Sequence, residues 1–415
     1  MKETHIILRA VRTSTKDIFQ GPFAMAEGSE ISGGGMRSTG FSGRSFGSTE
    51  LKVDLEDIDR SKIASITRHA DVLAVAPSMP ISLVKPFEVA TNEAIAAAAA
   101  INNMTWGIKA VGANVSSFTG NGITIAVLDT GIDANHAAFA GVNIIQEDFT
   151  GEGNGDKVGH GTHCAGTIFG RDVNGTRIGV ARGVTNALIG KVLSTNGGSS
   201  ENIITAIQWA VRNGANVISM SLGIDFPQFQ KQLQDQGFPA QLATSRALEG
   251  YRANVLVFEK LAQFIRTQGT NGFSQPTILV AAAGNESQRD VRPDFEIAVS
   301  PPAVSDGFIS VAALQQSAGG LSVAYFSNTF AKIAAPGVDV LSAKVGGGLV
   351  SFSGTSMATP HVAGVAALWA EEIKSTRVLT PENLTVRLIG SANTVGLVPG
   401  FDPAHIGEGM VHAPN

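Results

Sequence analysis

Across residues 105–415 the apolar positions gather into short, nearly unbroken runs separated by stretches with helical spacing. The runs 123–128, 187–192, 217–222, 278–283 and 308–312 consist almost wholly of Val, Ile, Leu, Ala and Met with a few small polar residues. A strand reads this way when both of its faces are covered, because alternation appears only where one face meets water. Helical spacing recurs between several runs, as over 200–213. The pattern predicts a mostly parallel sheet with helices on its faces, an α/β fold.

Two regions depart from that rhythm. Residues 1–87 hold an apolar run at 5–11, a Gly/Ser-rich loop at 28–48, the alternating segment Leu51-Lys52-Val53-Asp54-Leu55, helical spacing at 61–69 and a strand-like run at 72–76. That is a small α+β unit, joined by an Ala-rich linker at 88–104 to the main domain at 105–415. Within the main domain, residues 226–276 separate two strands that a shorter connection would join. Leu242, Leu248, Tyr251, Val255, Phe258, Leu261 and Ile265 recur there at helical spacing and predict a long amphipathic helix after a Gln-rich loop. No internal repeat is evident.

Composition narrows the class. Of 415 residues, 43% are hydrophobic, 16% are charged and 48 are glycine, the balance of a compact enzyme rich in tight turns. A net charge of -5 supplies no basic patch for a nucleic-acid backbone. No apolar stretch approaches the roughly 18 residues that would cross a bilayer. The N-terminus lacks the pattern of a secretory signal, and the single Cys164 excludes an intramolecular disulfide. Together these favour a cytoplasmic location.

Candidate chemistry sits where apolar runs end. Hydrolysis by a serine needs a nucleophile, a base, a carboxylate to hold the base, and donors for the oxyanion. Asp129 ends the run Ile125-Ala126-Val127-Leu128, at the sheet edge where α/β active sites form. His160 opens the small-residue segment His160-Gly161-Thr162-His163-Cys164-Ala165-Gly166. Asn285, in Ala281-Ala282-Ala283-Gly284-Asn285-Glu286, has an amide suited to donate to an oxyanion. Ser356, in Gly354-Thr355-Ser356-Met357-Ala358-Thr359-Pro360-His361, precedes the helical run 362–373, and Pro360 suits a first helical turn.

The order Asp, His, Ser and these four segments resemble the subtilisin-like serine proteases (subtilases), with HGTHCAG nearest the proteinase K branch. The resemblance runs from Trp106 to Met410 and implies a three-layer fold around a mostly parallel sheet. It implies a serine endopeptidase in which Asp129 orients, His160 is general base and acid, Ser356 attacks and Asn285 stabilises the oxyanion. Ser221, Leu222 and Gly223 would pair with substrate and wall the primary pocket, with Ala282, Ala283 and Gly284 opposite. The small, uncharged walls favour large apolar side chains. Residues 1–87 resemble, more weakly, the family's prodomain, an inhibitor and chaperone whose tail occupies the cleft. Val84-Lys85-Pro86-Phe87 suits such a tail, so self-cleavage is expected between Phe87 and Glu88, with the bond after Leu83 next.

Other readings stay open beside this one. The same acyl-enzyme could serve peptide ligation or macrocyclisation, and the fold could serve as a silent binding scaffold. An Asp-Thr-Gly alone could be half of an aspartic site, and His160, His163 and Cys164 could ligate a metal, but each lacks its second half. His136, His163, Cys164 and His361 read as packing and hydrogen-bonding residues. The chemistry requires no cofactor. Structural calcium stays unassigned: Ala138 and Lys332 stand where relatives often carry acids, though Asp172 and Asn174 could ligate a cation. Ile224 replaces a usual glycine after Ser221-Leu222-Gly223, so the insert leaves from the pocket rim, to restrict access, dock a partner or cap the surface.

Overall fold

A computed structural model describes residues 2–12, 49–83, 87, 88, 99 and 103–415. The Gly/Ser-rich loop at 28–48 and most of the linker lie outside the described residues. The N-terminal unit comprises β1 (Lys2–Arg12), β2 (Thr49–Asp59), α1 (Arg60–Ile66), β3 (Val72–Pro77), β4 (Pro80–Leu83) and β5 (Phe87–Glu88). Strands β2, β1 and β3 form an antiparallel sheet in that order. Arg9 ties it together, bonding Asp54 at 2.9 Å and Asp71 at 2.8 Å.

The main domain begins with α2 (Trp106–Ala110), β6 (Thr124–Asp129), β7 (Asn143–Asp148), α3 (His160–Phe169), β8 (Asn186–Lys191) and β9 (Gly198–Ser199). It continues with α4 (Ser200–Arg212), β10 (Val217–Met220), β11 (Leu222–Ile224), α5 (Phe226–Asp235), α6 (Ala240–Thr270) and β12 (Ile278–Ala282). Next come β13 (Phe308–Ser317), β14 (Gly320–Val323), β15 (Ile333–Pro336), β16 (Val340–Ala343) and β17 (Leu349–Ser353). Helices α7 (Thr355–Thr376), α8 (Pro381–Gly390) and α9 (Pro403–Ile406) complete it.

The central sheet runs β14-β13-β12-β10-β6-β8-β7, with β15 also on β13. Its pairings are parallel except β13 with β14. Both faces are covered, which is why the strands read as continuous apolar runs. In β6, Ile125 and Val127 join the core with Cys164 of α3 and Val362 of α7. Ala126 and Leu128 join the opposite core with Ile203 of α4 and Phe258 of α6. Ile6, Leu8, Leu51 and Ala74 enter that second core too, so the N-terminal sheet lies over α4 and α6.

The insert differs from expectation in two ways. Its Gln-rich part is helix α5 rather than a loop: Asp225 accepts from the Gln228 N–H at 2.9 Å, Pro227 lies in the first turn, and glutamine is a good helix former. The 31-residue α6 buries Phe258, Leu261 and Ile265 as expected but turns a different stripe inward in its first half. Ala243, Ala247, Gly250, Asn254 and Val257 are buried, while Leu242 and Leu248 are exposed. Small residues line that stripe because β3 of the N-terminal unit packs closely on it.

Far from the sheet's carboxyl edge, Glu371 of α7 accepts three backbone N–H bonds, from Thr119 and Gly120 at 2.7 Å and Asn121 at 3.1 Å. It thereby joins the distal ends of β6 and α7, the two elements that carry Asp129 and Ser356. Glu371→Ala removes the acceptor of three donors, of which that of Gly120 is buried, and is expected to cost about 1–2 kcal/mol, read by urea unfolding in a Ser356→Ala background.

Candidate active site

Asp129 ends β6 at the carboxyl edge of the sheet and is fully buried. Its Oδ1 accepts from the Thr130 N–H at 2.7 Å and from His160 Nδ1 at 2.8 Å. His160 is the first residue of α3, and Gly159 before it takes a left-handed φ of 94°. Burial alone would push the His160 imidazole down, but the Asp129 carboxylate outweighs it and holds the pKa well above the ordinary histidine value.

Asp156, which the sequence reading passed over, fixes the pair. Its carboxylate accepts from Thr130 Oγ1 at 2.9 Å, the N–H groups of Val158, Gly159 and Thr162 at 3.0, 2.8 and 2.9 Å, and Thr162 Oγ1 at 2.6 Å. Thr130 Oγ1 in turn accepts from the Gly161 N–H at 2.9 Å. The residues after Asp129 and those flanking His160 therefore hang on one half-buried carboxylate. Burial would raise its pKa, but the donors from Thr162, Gly159 and Thr130 hold it below the usual value. The sequence offered a weak signal, an Asp four residues before the histidine that opens a helix.

Ser356 is the second residue of α7, which starts at Thr355, well before the expected run. Pro360 is thus its sixth residue rather than part of the first turn, and it cannot donate to the Ser356 carbonyl four positions back. Side chains take that carbonyl instead: Ser221 Oγ donates at 3.0 Å and Cys164 Sγ at 3.5 Å. Cys164 Sγ also stands 3.8 Å from His160 Nδ1, so one side chain touches both His160 and the Ser356 backbone. The Ser356 Oγ itself donates to the Ser221 carbonyl at 3.3 Å. His160 Nε2 is buried and has no hydrogen-bond partner among the described residues, so the structure brings Ser356 beside the pair without bonding it to His160.

Asn285 follows β12. Its Oδ1 accepts from the Thr355 N–H and from Thr355 Oγ1, each at 2.9 Å, which fixes the plane of the amide next to Ser356. Thr355 Oγ1 also accepts from the Gly284 N–H at 3.2 Å. Gly284 must be glycine: its φ is 114°, and a Cβ would lie 2.2 Å from Asn328 Nδ2. Ala282 and Ala283 are buried at the end of β12, beside Ser221, Leu222 and Gly223 beyond the neighbouring β10. The expected walls thus occupy adjacent strand ends.

The cleft between β11 and β9 holds a strand of the chain itself. β4 pairs antiparallel with both, Leu83 opposite Leu222, Ser82 opposite Gly223 and Ile81 opposite Ile224. β5 pairs antiparallel with β17, Phe87 opposite Ser353 and Glu88 opposite Phe352, three and four residues before Ser356 in the chain.

Three further histidines, which the sequence reading placed among packing residues, make backbone contacts. His163 donates from Nε2 to the Val340 carbonyl at 2.9 Å, and burial pushes its pKa to about 3. His361 bonds the Met357 carbonyl at 2.8 Å, and burial pushes it to about 4. His136 bridges the Gly348 carbonyl and the Ala138 N–H. Among the described residues, the one set of three converging potential metal ligands is Asp129, His160 and Cys164. Neither Asp172 nor His163 joins it.

The subtilase family model matches residues 120–407. The chain is 33% identical over 315 residues to a thermostable alkaline protease of Halalkalibacterium halodurans, covering 74% of this chain and 72% of that one. It is 30% identical over 312 residues to subtilisin DY of Bacillus licheniformis, covering 74% and 94%. It is 32% identical over 302 residues to an intracellular serine protease of Paenibacillus polymyxa, covering 71% and 79%.

Asp156→Ala should lower stability by about 3 kcal/mol or more, since it strands several buried donors at once. Asp156→Asn should recover only part, because its NH2 meets donors. The wild-type contribution is present above the unfolded carboxyl pKa and fades as pH falls through the lower folded value. Denaturant midpoints across acidic pH, compared between wild type and Asp156→Asn in a Ser356→Ala background, read that slope.

Proposed function

The chain belongs to the subtilase family and is a serine endopeptidase, and we propose that Ser356, His160 and Asp129 are its catalytic triad. The observation that carries the reading is the buried 2.8 Å Asp129–His160 pair beside a serine at the N-terminus of α7. Ser356 Oγ turns from the Ser221 carbonyl to His160 Nε2, gives up its proton there and attacks the scissile carbonyl. The oxyanion takes a hydrogen bond from the Asn285 amide, held in plane by Thr355. Collapse expels the amine, which receives the proton from His160. Water then repeats the sequence on the acyl-enzyme and releases the acid. Asp129 holds the imidazole in the tautomer with its proton on Nδ1 and stabilises the imidazolium.

The N-terminal unit is proposed to inhibit this site. Extended peptides bind by adding a strand to an open edge, and β4 fills such a place between β11 and β9. Self-cleavage is then expected between Leu83 and Phe87 rather than after Phe87. The pairing on β11 ends with Leu83 opposite Leu222, next to Ser221 that bonds the Ser356 carbonyl, and that on β17 begins with Phe87 opposite Ser353, three residues before Ser356.

For cations, the loop after α3 is proposed to take no calcium. Arg171 donates to the carbonyls of Phe169 at 3.1 Å and Val184 at 2.9 Å, and to that of Arg182. Arg177 donates to Gly179 at 3.2 Å and Val180 at 3.0 Å. Guanidinium groups already serve these carbonyls, and Asp172 faces Arg182 at 3.6 Å. A chelator should leave the melting temperature unchanged, whereas Arg177→Leu should lower it; a chelator-sensitive melt refutes this.

Ser356→Ala should abolish hydrolysis of a fluorogenic peptide and leave the fold intact, and Asn285→Ala should lower kcat on the order of 100-fold. Near-normal turnover in Ser356→Ala would remove the triad assignment. Only neutral His160 can accept the proton, so kcat/KM should rise with pH through a pKa above that of a free imidazole. The stability that the His160–Asp129 pair adds runs oppositely, full below the unfolded histidine pKa and lost as pH rises through the folded one. Intact-mass analysis of wild type against Ser356→Ala reads the cut, and a mature chain beginning at Glu88 would exclude the proposed position.

A further inference from the structure

A buried charge at the carboxyl edge of the sheet lies outside the proposed chemistry. Lys191 ends β8, in register with Asp129 of β6 on one side and Asp148 of β7 on the other, and is 2% exposed. An ammonium group withdrawn from water must find acceptors or a counter-charge. Lys191 Nζ finds one of each in the loop after β7: it donates to the Gly155 carbonyl at 3.3 Å and pairs with Glu152 Oε2 at 3.2 Å.

That loop needs to be held. Gly153 and Gly155 take left-handed φ values of 84° and 96°, and glycine gives the unrestrained chain more freedom than any other residue. Asp148 braces the loop from within, accepting from the Thr150 and Gly153 N–H groups at 2.8 and 2.7 Å. Lys191 and Glu152 tie it to neighbouring elements. The Gly155 carbonyl presses against Gly131, where a Cβ would lie 2.3 Å from it, and the next residue is Asp156, which holds Gly159 and Thr162 on either side of His160. Glu152 reaches the opposite way with its other oxygen. Its Oε1 accepts from the Thr195 N–H at 3.1 Å and from Thr195 Oγ1 at 2.8 Å.

Thr195 stands in a tight turn, closed by the Ser194 N–H to the Gly197 carbonyl at 2.9 Å and by the reverse bond at 3.1 Å. The chain leaving that turn is β9, whose Gly198 and Ser199 pair with Ile81 and Pro80 of β4. This is an edge that an extended peptide takes in the cleft. We propose that Glu152 is a positioning residue that couples the β9 edge to His160. A peptide long enough to pair with β9 fixes the 194–197 turn, Thr195 then fixes Glu152, and Glu152 with Lys191 fixes the loop that leads into Asp156. The enzyme therefore favours long, extended substrates in kcat as well as in KM, because binding energy far from the scissile bond goes into aligning the base. The proposal rests on the triad assignment and on β4 occupying the substrate's place.

The test uses the full chain, with active sites counted by fluorophosphonate labelling. It compares kcat on two fluorogenic amides that end in phenylalanine, one a single residue and the other about six residues, enough to reach the place of Ile81. Wild type should turn over the longer amide about tenfold faster or more. Glu152→Ala breaks both links and should lower the ratio of the two kcat values about fivefold or more. Thr195→Val removes one of the two bonds to Oε1 and should lower it by less. Glu152→Gln keeps an oxygen for Thr195 and should recover part of the ratio, and it carries the test should Glu152→Ala misfold. Lys191→Met cuts the tie to Gly155 itself and should lower kcat on both amides. A wild-type ratio near one overturns the coupling. So does a ratio unchanged in Glu152→Ala and Glu152→Gln, even with a lowered urea midpoint, which would leave Glu152 a purely structural contact. Turnover persisting in Ser356→Ala overturns the triad reading instead, and with it the base that Glu152 would align.

Discussion

A carboxylate withdrawn from water must be given donors, and Asp129 is fully withdrawn. Two arrive from different directions, the Thr130 N–H from its own chain and His160 Nδ1 from the start of α3. Holding α3 at that distance needs a second, half-buried carboxylate, Asp156, which gathers the turn after Asp129 and the residues around His160 into one network. The small residues of α3 follow from the same demand. A Cβ at Gly161 would lie 2.2 Å from the Gly131 carbonyl oxygen, so a larger residue would push the imidazole away from its partner.

Ser356 is placed by a different device. A proline inside a helix removes one donor, and here the carbonyl it releases belongs to the serine itself. Ser221 and Cys164 occupy that carbonyl, which ties α7 to the segment beyond β10 and to α3. The cost of interrupting the helix is offset by contacts that also register Ser356. Thr355, one residue earlier, does the same for Asn285 and Gly284, so consecutive residues of α7 hold Ser356 and Asn285 in place.

The N-terminal unit shares the hydrophobic core on the α4 and α6 side, and its β4 completes a three-stranded sheet in the cleft. Backbone pairing of this sort carries little sequence preference, so it cannot distinguish the unit from other extended peptides. Side-chain contact comes from the α6 face, where Asn254 donates to the Pro77 carbonyl at 2.9 Å and Gly250 leaves room for Met79. The insert therefore belongs structurally to the N-terminal unit as much as to the domain that contains it.

Much was legible in the sequence because it is encoded locally. Strand runs covered on both faces are continuous in Val, Ile, Leu and Ala, so the central strands could be read, and motifs after strands and at helix starts offered Asp129, His160, Asn285 and Ser356 as candidates. Local pattern was weaker where polar residues form a helix: glutamines over 226–235 read as a loop until the Asp225 cap and the packing of Leu233 on Ala243 and Ala247 were seen. Phe258, Leu261 and Ile265 of α6 are buried as their spacing predicts, but the face of its first half was misassigned because its partner is a sheet about 180 residues earlier in the chain, which selects small residues where periodicity favours large ones. Asp156 and Thr355 have no signature of their own; their roles exist only once distant segments meet. Register is likewise a tertiary property. The sequence offered Phe87 as a plausible side chain for a pocket, but where β4 and β5 lie against β11 and β17 is fixed by long-range pairing rather than by any residue's preference.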